Sequence, residues 1–219
     1  MSWEYSFPQS DEYITARNGM VKYQISQRGI TDSEVLKAMR KIPRHLFVPP
    51  EYQSEAYGDY PLPIGYGQTI SQPYVVAYMT SVTKPDRKKK ALEIGTGSGY
   101  QAAVLAETTD SVYTIEIVPE LAALSNARLK QLGYNNIIGK YGDGYNGWPE
   151  HAPFDIIIVT AAAEEIPGPL IDQLAESGRL VIPVGGPGEI QDLILVVKRH
   201  GKPEKKLLTV VRFVPFRRL

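Results

Sequence analysis

The stretch Ala91-Leu92-Glu93-Ile94-Gly95-Thr96-Gly97-Ser98-Gly99-Tyr100 constrains the fold more than any other. Ala91–Ile94 is short and apolar and runs into glycine, which reads as a buried strand. Tyr100-Gln101-Ala102-Ala103-Val104-Leu105-Ala106 reads as a helix. A strand that turns through glycines into a helix leaves bare backbone N–H groups beside a ligand, because glycine accepts left-handed backbone and close approach. The spacing is G-x-G-x-G, not the G-x-G-x-x-G of the dinucleotide fingerprint. A tight βα turn in an unrelated α/β protein has the same outline, so the turn alone names no ligand.

Strand and helix patterns alternate after this turn, which predicts an α/β fold with a mostly parallel sheet. The spacing places strands at 91–94, 111–116, 137–141, 154–160 and 179–184. It places helices at 99–107, after Pro119 and at 169–176, the last with Gly178 near its C-cap. Strands at 193–199 and 207–216, joined through His200-Gly201-Lys202-Pro203, read as a terminal antiparallel hairpin. That makes about seven strands. Before residue 86, apolar positions over 10–29 scatter as in a helix. Thr31 and Glu34 read as a capping box for a second helix that stops before Pro43. These helices are expected to cap the main domain. Residues 43–73, dense in Pro, Gly and Tyr, read as a long loop, and loops of that length in compact domains are usually functional. The expected organisation is residues 1–85 as helical cap plus active-site loop, and 86–219 as the core.

Composition removes several classes. The 219 residues contain no cysteine, which excludes disulfides, thiolate catalysis and Cys-ligated metal. The three histidines, His45, His151 and His200, stand in no ligand spacing, so no metal is expected. Lys plus Arg equals Asp plus Glu, 24 each, so nothing overall draws the chain to nucleic acid or membrane. No apolar run approaches a membrane span, and Met1-Ser2-Trp3-Glu4-Tyr5 lacks a leader pattern. A cytoplasmic location is the default expectation.

Glu116 ends the second strand, 21 positions after Gly95. A carboxylate there has two oxygens at the spacing of a ribose diol. Together with Glu93-x-Gly95-x-Gly97-x-Gly99 it resembles the S-adenosylmethionine (AdoMet) site of Rossmann-like methyltransferases. AdoMet has no pyrophosphate to require the wider glycine spacing. Asp143, in Gly142-Asp143-Gly144 after the third strand, is placed to accept from an adenine amine; a plain Asp-Gly turn is the alternative. After the fourth strand Val159-Thr160-Ala161-Ala162 stands where methyltransferases of exocyclic amines carry Asn/Asp-Pro-Pro-aromatic, which argues against that chemistry.

The segment before the glycine turn narrows the family. Arg44-His45-Leu46-Phe47-Val48-Pro49 and Asp59-Tyr60-Pro61-Leu62-Pro63-Ile64-Gly65-Tyr66-Gly67-Gln68-Thr69-Ile70-Ser71-Gln72-Pro73 strongly resemble protein-L-isoaspartate O-methyltransferases. So do Phe154-Asp155, Ala161-Ala162 and Gly178–Gly185, and the likeness covers nearly all of the chain after residue 10. The resemblance implies a Rossmann-like core with the last two strands in exchanged order. It implies AdoMet as cofactor, with S-adenosyl-L-homocysteine as product. It implies methyl transfer to the free α-carboxylate of an L-isoaspartyl residue in a damaged protein or peptide, followed by closure to a succinimide. A different, small-molecule acceptor and a noncatalytic nucleoside-binding module are the alternatives.

By the same resemblance Ser71 is the active-site serine, hydrogen-bonding the substrate carboxylate, with Thr69 and Ile70 beside it. Its other reading is a helix N-cap, since Pro73 follows. The cofactor set is Glu93, Gly95, Thr96, Gly97, Ser98, Gly99, Glu116, Asp143, Gly144 and Tyr74. Tyr74 replaces a histidine common in relatives. Val214, in the terminal strand, is a candidate to pair with the substrate backbone.

Overall fold

In the computed structural model, residues 10–186 and 188–219 are described. Met1–Tyr5, read above for a leader, lies outside them. One sheet of seven strands dominates, in the order β5-β4-β3-β6-β7-β8-β9. Its strands are β3 (Lys90–Ile94), β4 (Ser111–Glu116), β5 (Ile137–Tyr141), β6 (Phe154–Val159), β7 (Leu174–Val184), β8 (Gln191–Arg199) and β9 (Lys202–Val211). The first five run parallel, and β8 and β9 are antiparallel to their neighbours. The hairpin connection seats β8 against β7 and leaves β9 at the edge.

The central strands β3 and β6 are buried along almost their whole length, as their near-continuous apolar runs require, while the edge strands β5 and β9 are largely open to solvent. In β6, Ile156 and Ile158 join the larger core cluster, while Phe154, Ile157 and Val159 join the other. The larger cluster gathers α2 (Ser33–Lys41), α3 (Pro73–Val82) and α4 (Tyr100–Thr108) through residues such as Met39, Val76 and Val104. The opposite cluster takes Leu170 from the short α6 (Gly168–Asp172). α5 (Pro119–Gln131) lies between β4 and β5 in the chain. Met20, Val35 and Tyr100 share one cluster, so the helical cap and the sheet have a common core. No helix among the described residues is long and apolar enough to cross a membrane.

Several local expectations give way to tertiary context. α1 (Asp11–Gly19) passes into a π-helical turn at Met20–Ile25 and a 3-10 turn at Ser26–Arg28, so residues 10–29 are not one regular helix. The cap of α2 is Asp32, not Thr31: its Oδ1 accepts from the N–H of Glu34 and Val35, at 3.0 and 3.1 Å. Residues 43–73 are not a bare loop. They hold 3-10 turns at Arg44–Phe47 and Pro50–Glu55 and the hairpin β1 (Leu62–Gly65)–β2 (Gln68–Ile70). The helix expected over 169–176 stops at Asp172, and Leu174 begins a strand that bulges at Ser177, where φ is +63°. Gly178 therefore caps no helix. The terminal strand ends at Val211 rather than 216.

Candidate functional site

The carboxyl ends of β3, β4 and β6 converge beneath the β1–β2 hairpin. In open parallel sheets this edge, where strand order reverses, is where ligands sit. A crevice opens there between the glycine turn and the hairpin.

The floor is the glycine turn. Gly95 and Gly97 stand at φ +92° and +52°, and a Cβ on Gly95 would overlap Thr160 Oγ1. That hydroxyl donates to Gly95 O at 2.6 Å, which locks the turn to the end of β6. Glu116 is almost fully buried at the end of β4. Its Oε2 accepts from Gly97 N–H at 2.7 Å, and its Oε1 from Val118 N–H at 2.9 Å. The two bonds fix the carboxylate against the turn and leave further lone pairs for a ligand.

Behind the turn lies a chain of buried polar side chains. Thr96 and Thr114 hydroxyls meet at 2.6 Å, and Thr114 Oγ1 donates to Glu93 Oε2 at 2.5 Å. Glu93 is fully buried, and its Oε1 has no hydrogen-bond partner among the described residues. Burial pushes its carboxyl up to about 8; Glu116 adds to this, while Thr114 and the Ala102 N–H pull the other way. A buried carboxyl with an unused oxygen is what a cationic ligand group would satisfy. AdoMet carries a sulfonium and an ammonium, so the donor set fits this cofactor.

The opposite wall comes from Gln68, Thr69, Ile70 and Ser71, and from Val214–Arg217. Ser71 Oγ makes no hydrogen bond among the described residues. The N-cap of α3 is Gln72, without side-chain capping, so Ser71 does not serve as a cap. Arg44, fully buried, donates from Nη2 to the Ser71 carbonyl at 2.8 Å.

Of the residues expected at the site, Thr69, Ile70, Ser71, Glu93, Gly95, Thr96, Gly97, Ser98, Glu116, Gly144 and Val214 line this crevice. Gly99 stands just behind, as the left-handed N-cap of α4. Asp143 does not line it. Its Oδ1 caps Tyr145 N–H at 2.9 Å and its Oδ2 accepts from Arg218 Nε at 2.7 Å. Burial alone would raise this carboxyl, but the Arg218 and Tyr145 hydrogen bonds outweigh it and hold it below the usual range. Tyr74 also stands away from the crevice: one turn from Tyr78 on α3, it stacks on that ring and lies under Arg28 at 3.6 Å. The Val214 carbonyl already accepts from Ala162 N–H at 2.8 Å. Sequence reasoning missed Gln101, Phe216 and Arg217, which also line the crevice. Their proximity to Gly99 and to Val214 was the available signal.

None of the three histidines lines the crevice. His45 Nδ1 lies 2.7 Å from the Tyr57 hydroxyl and its ring stacks on Tyr13, inside the cap. Among the described residues no group of three or more His, Asp or Glu is arranged to hold a metal ion.

Comparison with known proteins decides the family. The family profile of protein-L-isoaspartate (D-aspartate) O-methyltransferases matches residues 15–218. The chain belongs to that family. A protein-L-isoaspartate O-methyltransferase of Opitutus terrae is 59% identical over 92% of this chain and 87% of its own length. One from Gloeobacter violaceus is 55% identical over 91% of this chain and 97% of its own. A solved protein-L-isoaspartate O-methyltransferase superposes with a TM-score of 0.84 at 30% identity, covering 91% of this chain, which spans 65% of that one. A β-aspartate methyltransferase from Plasmodium falciparum, in complex with S-adenosyl-L-homocysteine, superposes with a TM-score of 0.80 at 26% identity, over 93% and 99% of the two chains. The chain is thus an AdoMet-dependent methyltransferase with the fold expected of one.

Proposed function

We propose that Ser71 receives the α-carboxylate of an L-isoaspartyl residue in this crevice, opposite the glycine turn. The activity is that of the family: methyl transfer from AdoMet to that carboxylate in damaged proteins and peptides. The observation that carries the role of Ser71 is that it lines the same crevice as Glu116 while its hydroxyl makes no hydrogen bond among the described residues.

Each residue then has a physical task. Glu116 accepts from the ribose hydroxyls, the backbone of Gly95–Gly99 admits the cofactor closely, and Glu93 faces its cationic end. When bound, AdoMet supplies an electrophilic methyl group on a sulfonium. The acceptor carboxylate, with an ordinary pKa near 4, is ionised at neutral pH and needs no general base. That agrees with the absence of histidine from the lining. Ser71 Oγ–H donates to one carboxylate oxygen and leaves the other free to align with the methyl group. Alignment, rather than proton transfer, is the main contribution. Ala161 and the tail at Val214–Phe216 exclude water, which strengthens the attraction between sulfonium and carboxylate.

From the 1–85 unit, Gln68–Ser71 supply the acceptor side of the site; from 86–219 come the cofactor side and the Val214–Arg217 part of the acceptor wall. The charge balance and the apolar mouth favour damaged polypeptide, not nucleic acid or membrane, as partner, and the cytoplasm as the place of action.

Labelled AdoMet with a matched pair of peptides, isoaspartyl and aspartyl, tests the reading. Label enters the isoaspartyl peptide only, and Ser71→Ala lowers kcat/KM by about tenfold or more, the scale of a hydrogen bond to a charged group. Equal labelling of the pair, or an unimpaired Ser71→Ala, overturns it.

A further inference from the structure

Arg44 is the largest fully buried side chain among the described residues, and it is a cation. Among the described residues no carboxylate lies within ion-pair distance of it. Instead Nε donates to Ala56 O and Nη2 to Ser71 O, both at 2.8 Å. The guanidinium also sits over the ring of Tyr100, 4.8 Å from its centroid. Tyr100 is the first residue of α4, immediately after the glycine turn, and is itself buried and edge-packed by Phe47. Burial lowers the guanidinium to about 10, which leaves it charged at neutral pH.

A buried cation without a carboxylate is expensive, so its geometry is held by what it touches. Here it touches three things: the carbonyl of the acceptor serine, the 3-10 segment that leads into the hairpin, and the helix that opens from the cofactor turn. The first and third are the two halves of the reaction site, and the second leads into the hairpin that carries Ser71. The planar fork of arginine can hold two carbonyls in fixed relation, which the single ammonium of lysine cannot.

We propose that Arg44 is a positioning residue for methyl transfer: by fixing the Ser71 carbonyl relative to Tyr100, it sets the distance and angle between the acceptor carboxylate and the methyl group. It touches neither reactant and acts through Ser71. The inference rests on the role proposed for Ser71. In-line transfer is sensitive to displacement, and a 1 Å misplacement can cost about a hundredfold. The charge also favours an anionic acceptor on the neighbouring hydroxyl.

The test compares Arg44→Met, Arg44→Lys, Ser71→Ala and the double variants on the isoaspartyl peptide, with AdoMet affinity measured by calorimetry. The expected result is a fall in kcat/KM for Arg44→Met of about tenfold, no larger than that of Ser71→Ala, and a smaller fall for Arg44→Lys. AdoMet affinity stays within about threefold, since Arg44 does not line the crevice. The decisive readout is coupling: Arg44→Met in the Ser71→Ala background costs no more than about twofold further. Where Arg44→Met does not fold, Arg44→Lys carries the same comparison. If Ser71→Ala is impaired but both Arg44 variants keep wild-type kcat/KM, or their losses multiply with that of Ser71→Ala, this inference falls and the Ser71 reading stands. If Ser71→Ala is unimpaired, both fall.

Discussion

Glu116 accepts a hydrogen bond from the backbone N–H of Gly97 at 2.7 Å, so the acid at the end of β4 and the turn after β3 form one rigid unit. Two independent sequence signals, a glycine run and an acid 21 residues after its first glycine, meet at one bond. Glu116→Gln keeps an acceptor oxygen but loses the charge and one of the two N–H contacts. AdoMet affinity is expected to fall by roughly 1.5–3 kcal/mol, or about 10- to 150-fold, with a smaller change in kcat at saturation. Calorimetric titration measures this. Unchanged affinity would remove Glu116 from the cofactor site.

Gly95 and Gly97 are not equivalent, although the motif writes them alike. Gly95 has φ +92°, and an added Cβ would run into Thr160 Oγ1, whereas Gly97 has φ +52° and its Cβ would lie 3.4 Å from Ile64 Cδ1. Gly95→Ala therefore combines backbone strain with displacement of a hydroxyl that bonds Ile94 O and Gly95 O. It should cost about 2–4 kcal/mol of stability, against about 1 for Gly97→Ala. Adding Thr160→Ala to Gly95→Ala should recover part of the loss. Thermal melts that rank the two glycines in the opposite order contradict this account.

The cofactor side was legible because short-range chemistry dictates it. Glycines at left-handed positions, a buried strand before them and an acid at the next strand end are each local requirements. The tail of β7 was not legible. Leu174–Gly178 carries a helix-compatible pattern, but Leu174 pairs with Phe154 and Glu176 accepts from the N–H of His200 and Gly201 across the sheet. Those partners lie more than 15 residues away and override propensity. The choice of Asp32 over Thr31 as cap turned on one residue of register, where helix boundaries are least determined. Arg44 entered only as part of a family motif. Its bonds to Ala56 and Ser71 span 12 and 27 residues, and no pattern in the chain announces them. Tyr74 follows from helix phase: the face it shares with Tyr78 is turned to Arg28.

Asp143 has its two oxygens engaged by Tyr145 N–H and Arg218 Nε, and the Arg218 guanidinium also lies 3.7 Å from the Tyr145 ring centroid. The pair is open to solvent on its arginine side, so it adds only about 0–1 kcal/mol of stability. Arg218→Ala is thus expected to shift the melting temperature by no more than a few degrees. If Asp143 accepts from the adenine amine, Asp143→Ala weakens AdoMet about tenfold while Arg218→Ala does not. Equal effects of the two substitutions would assign Asp143 to tethering the chain terminus.

Glu93 gives the site a pH signature. Its carboxyl rises from 4.5 in the unfolded chain to about 8 when folded, chiefly through burial. The folded protein therefore keeps a proton that the unfolded chain has lost. The stability this contributes is complete below about pH 4.5 and disappears as pH rises towards 8, with a limiting slope of roughly 1.4 kcal/mol per pH unit. Glu93→Gln keeps the acceptor for Thr114 and has no proton to lose, so its stability profile should be flatter across that window. A cationic cofactor beside Glu93 favours the ionised form. AdoMet binding to wild type should then strengthen as pH rises from 5 to 8 and release protons, and both effects should be absent in Glu93→Gln. Melts and titrations in buffers of different ionisation enthalpy measure the two. Parallel profiles for wild type and variant would show that Glu93 is ionised without the cofactor, and would remove the unpartnered Oε1 as a reason for placing the cationic group there.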